Sequence, residues 1–157
     1  MTRRRKAVIV AAVVVAALAA GVLAWRFTRR PLSDRAQIEG LLDRVEEAVQ
    51  AKNVKQGLGC LSSDYRDSFG LSKRMVQRLA LQAQQSPRTF RVLISNLDLD
   101  ITGDEAQGRL QVELEVRNGD IVEGDYSGPI LLGFRKEGGD WRIVSSGGWQ
   151  SWVEGYE

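Results

Sequence analysis

Between Pro87 and Phe90 the hydrophobic period of the chain changes from helical to two, and this one switch restricts the fold more than any motif does. Before it, Ile38, Leu41, Leu42, Val45, Ala48 and Val49 recur at helical spacing, with Asp43, Arg44, Glu46, Glu47 and Lys52 on the complementary face. After it, Phe90, Val92 and Ile94 alternate with Arg91 and Leu93, and Leu110, Val112, Leu114 and Val116 alternate with Gln111, Glu113, Glu115 and Arg117. Helices followed by strands make an α+β domain, in which the helices cover one face of an antiparallel sheet.

The helical half divides into three. Pro31 discourages a helix running on from the connector, and Ser33 or Asp34 can cap the first helix. Between Asn53 and Gly70, Leu58, Leu61 and Tyr65 keep an i, i+3, i+7 rhythm that predicts a second, short helix. Ser72 can cap a third, running through Met75, Val76, Leu79 and Ala83 until Pro87 stops it. The strand half predicts a meander of four. A bulge at Ser95-Asn96 bends the first strand, after which Leu97, Leu99 and Ile101 alternate with Asp98 and Asp100. The second ends at the hairpin signal Asn118-Gly119, and the third covers about residues 125–136. Gly138-Gly139 then returns the chain through a fourth strand from Trp141 to about Trp149. The expected domain, residues 34–152, therefore has three helices packed on a curved four-stranded antiparallel sheet, with residues 153–157 as a tail.

Residues 7–25, from Ala7 to Trp25, are nineteen consecutive residues without a charge or a strongly polar group. At about 1.5 Å per residue they reach about 28 Å, close to the hydrocarbon thickness of a bilayer. Arg3, Arg4, Arg5 and Lys6 precede the run, Arg26, Arg29 and Arg30 follow it, and Trp25 stands where an interfacial aromatic belongs. The expectation is a cytoplasmic basic tail (1–6), a single transmembrane signal-anchor helix (7–25) and a linker (26–33). The domain would then lie outside the cytoplasm, at a bacterial inner membrane. The alternative is secretion after cleavage at the small-x-small sequence Ala17-Leu18-Ala19. A run of nineteen exceeds the usual apolar core of a cleaved signal, and the arginines behind Trp25 suit a stop at the membrane surface.

Charge and composition exclude several functions. The net charge of +2 hides an asymmetry: residues 1–30 hold seven Lys/Arg and no acid, and the rest holds fifteen against twenty acids, a net −5. Such a domain lacks the electrostatic drive for nucleic-acid binding. The chain has no histidine, which removes the commonest general base and the usual zinc ligand. Cys60, the only cysteine, forms no intrachain disulfide and is expected in the core beside Leu58 and Leu61. Asp98, Asp100 and Asp104 around Gly103 look superficially like a calcium loop. The twelfth position from Asp98 is Arg109, where a bidentate Glu is needed, and strand alternation already accounts for the acids. No metal and no cofactor are expected, and no catalytic constellation is found. Tyr65, Phe69, Phe90, Tyr126, Phe134, Trp141 and Trp149 are candidates for lining a cavity, with core packing as the competing role. The aromatic tail with Trp149, Trp152 and Tyr156 either covers a sheet edge or offers a docking surface.

The element order, together with Leu61-Ser62-Ser63-Asp64-Tyr65-Arg66-Asp67, Gly139-Asp140-Trp141-Arg142-Ile143 and Gly147-Gly148-Trp149, resembles the nuclear transport factor 2-like superfamily, also described as a cystatin-like cone. The resemblance implies a curled sheet wrapped round a helix, with a conical cavity used for catalysis in some members and for binding or assembly in others. Its enzymes commonly place His, Asp or Tyr inside the cone, and this sequence has no His to place there. The resulting expectation is a membrane-anchored, non-enzymatic envelope domain acting as a protein-interaction or assembly module, with a protein partner or self-association. The alternative is a small-molecule binding domain, or a degenerate isomerase or hydrolase, that uses the cone.

Overall fold

A computed structural model describes residues 32–148, and its first helix begins at the expected cap. The Ser33 hydroxyl accepts a hydrogen bond from the Ala36 N–H at 3.2 Å, starting helix α1 (Asp34–Gln50). The α1 stripe of Ile38, Leu41, Leu42 and Ala48 is buried. Lys52, at φ 51°, turns the chain, and the Asn53 side chain caps the short helix α2 (Val54–Gly59).

Past α2 the structure corrects the sequence reading. The expected second helix ends at Gly59, and the segment that follows is a strand, β1 (Leu61–Asp67). Leu61 and Tyr65 are four residues apart, a spacing that fits one face of a helix and one face of a strand alike. The outer edge of the last strand decides between them, because β1 pairs with it in parallel. Tertiary pairing thus outweighs local rhythm, and the sheet has five strands, not four.

Helix α3 (Lys73–Gln85) follows, with Ser72 at the cap position but making no side-chain capping bond. It ends at Ser86, whose extended backbone is the one a residue before proline prefers. The strands β2 (Thr89–Thr102), β3 (Glu105–Asn118), β4 (Ile121–Glu137) and β5 (Asp140–Gly147) then form an antiparallel meander. Sheet order is β1-β5-β4-β3-β2. Asn96, at φ 54°, marks the expected bulge, where the β2–β3 register shifts between Ser95 and Asp98. Glycines with positive φ make the hairpin corners at Gly119 and at Gly138-Gly139.

The bent sheet curls round α1. Glu46 accepts from the Ile94 N–H and Arg35 donates to the Leu97 carbonyl, so α1 is clamped on both sides of the bulge. Asp34 accepts from Lys136 Nζ at 2.7 Å and from the Trp141 indole at 3.0 Å, tying the start of α1 to β4 and β5. These two donors hold its carboxyl below the usual carboxylate range. The core between α1 and the sheet contains Leu110, Ile130, Phe134, Trp141 and Ile143. Among the described residues no helix is long and apolar enough to cross a membrane, and the predicted span, residues 7–25, lies outside them.

Candidate functional site

The described residues do not fill the core solid. Two apolar spaces lie between the helices and the concave face of the sheet, and they share Val45, Val49, Leu61 and Ile143 as walls. The outer space, of about 290 Å³, opens between α1, α2 and α3, and Val76, Ala80 and Ala83 of α3 form one side of it. The inner space, of about 250 Å³, runs beneath α1 against Val92, Leu110, Val112, Leu114 and Ile130. Strand alternation puts the β2–β4 residues there: the inward phase carries Val, Leu and Ile, and the acids of β3 take the wet phase.

Polar groups inside are few. In the inner space the hydroxyls of Tyr65 and Ser146 share a hydrogen bond of 2.8 Å. Burial pushes the Tyr65 phenol above its ordinary pKa of 10.0, and the Ser146 bond offsets this only in part, so Tyr65 is a neutral donor or acceptor at neutral pH. In the outer space the polar side chains are Lys52 and Asn53 at the rim. Lys52 Nζ donates to the Ser86 carbonyl at 2.7 Å and sits 5.7 Å from the centre of the Phe90 ring. Among the described residues, no carboxylate lines either space. Among the described residues no group of His, Cys, Asp and Glu is placed to hold a metal ion. The walls offer solvation and orientation to an apolar guest, and among the described residues Tyr65 and Lys52 are the titratable side chains in them.

The seven aromatic candidates separate. Tyr65 lines the inner space and Phe90 the outer one. Phe134 and Trp141 are core residues, 1% and 3% exposed, and Trp141 is fixed by Asp34. Tyr126 is buried, its hydroxyl donating to the Pro129 carbonyl at 3.1 Å. Phe69 is 51% exposed, in the turn after β1, and Trp149 lies outside the described residues. Ser146 and Lys52 were not singled out from the sequence. Ser146 is one of two small polar residues near the end of the expected fourth strand, and Lys52 reads as the polar end of α1. Cys60 is buried, with its thiol pushed up by burial.

No protein-family model matches the sequence, and the comparison with curated proteins gives no match either. Solved structures do share the fold. One is a protein of unknown function with a cystatin-like fold from Nostoc punctiforme, at 20% identity and TM-score 0.59, covering 73% of this chain and 88% of that one. Another is an NTF2-like protein from Cytophaga hutchinsonii, at 16% identity and TM-score 0.62, covering 74% and 97%. A third is a protein provisionally described as a scytalone dehydratase, from Novosphingobium aromaticivorans, at 16% identity and TM-score 0.65, covering 73% and 81%. At these identities the likeness is one of fold: residues 32–148 form a cone of the cystatin-like, nuclear transport factor 2-like kind.

Proposed function

We propose that the cone is a non-enzymatic binding domain for a compact, mainly apolar small molecule. The observation that carries this reading is the outer cavity of about 290 Å³, whose walls are aliphatic and whose polar side chains stand only at its rim. Burying apolar surface there supplies the affinity, at about 25 cal/mol per Å², and the Tyr65–Ser146 pair orients any polar atom that reaches the inner space. Some proteins of this fold are described as dehydratases or ring-hydroxylase subunits. Among the described residues no carboxylate or imidazole lines either space, which supports binding over catalysis here.

The domain works tethered at a bacterial inner membrane, outside the cytoplasm, held by residues 7–25. The uninterrupted apolar run with basic flanks supports this. Alkaline carbonate treatment of membranes should leave the protein in the pellet, and its release would contradict the tether.

Native mass spectrometry of the full chain released from membranes tests the binding reading. The wild type is expected to carry a bound small molecule, and Ala80→Phe, which places a ring in the outer cavity, is expected to carry none. An unliganded wild type that also takes up no apolar probe would sink the reading.

Assembly through a protein partner or a second copy is a second reading. It is favoured by the outward stripe of α3, where Met75 is 38% and Leu79 52% exposed one turn apart. The same spectra would show it as a dimer or a heavier complex, and monomers alone would count against it.

A further inference from the structure

We infer that the cavity takes an alkyl carboxylate, with its carboxylate at Lys52 and its chain directed into the aliphatic space. This rests on the binding reading above and adds the charge of the guest. Lys52 is the only charged side chain in the wall of the outer cavity among the described residues. Its ammonium is held by the Ser86 carbonyl at the end of α3 and lies over the face of Phe90, so its contacts are a neutral oxygen and a ring. No carboxylate pairs with it among the ion pairs of the described residues. Glu123, the carboxylate in the wall of the adjoining depression that shares Ala83 and Phe90, is bound by Arg88 and Asn118.

A cation with two of its three protons free for acceptors, beside a space lined by Val45, Val49, Val54, Leu58 and Val76, matches an amphiphile with one anionic end. Uncharged alcohols of the same length fill the space equally well and leave the ammonium without a counter-charge. A purely structural role for Lys52, bracing the end of α3 against the turn after α1, predicts no difference between the two guests.

The test is binding of decanoate and of 1-decanol, each carrying 13C at its first carbon, to the full chain in lipid nanodiscs. The resonance of the protein-bound carbon is read against empty nanodiscs. Decanoate is expected to bind at least about tenfold more tightly than decanol, a gap that Lys52→Met closes by weakening decanoate more than decanol and that Lys52→Arg retains. Retained decanol binding in Lys52→Met also shows that the variant is folded. Shortening the chain to octanoate is expected to weaken binding by about fourfold per methylene removed. Equal binding of acid and alcohol, or a preference that survives Lys52→Met, would overturn the charge assignment and leave the cavity reading standing. Binding of neither would overturn both.

Discussion

Tyr65 shows how one residue serves both the core and the site. Its ring is 8% exposed, and its hydroxyl has a partner in Ser146, 81 positions further along the chain. Tyr65→Phe should cost about 1 kcal/mol at neutral pH, by removing that bond and leaving the Ser146 hydroxyl facing an apolar space. The effect should change with pH in a defined direction. Because burial raises the phenol's pKa, Tyr65 contributes stability that is fully present below about pH 10 and is lost as pH rises through the folded-state value. Urea unfolding between pH 9 and about pH 11.5 should therefore show a steeper fall for the wild type than for Tyr65→Phe. Parallel curves would mean that Tyr65 ionises as freely in the fold as outside it.

Helix α3, thirteen residues long, has no buried side chain. Val76, Ala80 and Ala83 face the outer cavity, and the helix end is tied by Lys52 to Ser86 and by Gln84 to the Lys52 carbonyl. A helix that covers a cavity with so little buried surface opens locally at low cost, which gives a guest a way in. Hydrogen exchange should be at least about tenfold faster for the α3 amides than for those of β3, which is paired on both edges. Equal protection would remove α3 as the entry route. Much at this scale was legible in the sequence: α1 with its cap, the Pro87 stop, the Ser95-Asn96 bulge and the Asn118-Gly119 hairpin each follow from local chemistry. Strand β1 was not legible, because the Leu61 and Tyr65 spacing suits both periods and its partner, β5, lies about eighty positions away. The site was legible only in part. Tyr65 and Phe90 have aromatic side chains that draw notice, whereas Ser146 and Lys52 acquire their meaning from what the fold sets beside them.

For the molecule as a whole, two features of the sequence support the account from different directions. An apolar N-terminal run with basic flanks proposes a place for the protein, and an acidic domain without histidine excludes several kinds of chemistry. The cone supplies what those leave open, an aliphatic interior that the described side chains do not fill. The β2 bulge and the α1 hydrogen bonds at Ile94 and Leu97 join α1 to the bent strand. A crystal structure of the full chain, purified from its own membranes, tests the cavity reading most directly. The account predicts continuous density, longer than a chain of waters, among Val49, Val76 and Ala80 and ending near Lys52 Nζ. A space closed by inward movement of α3, or filled only by ordered water, would contradict it.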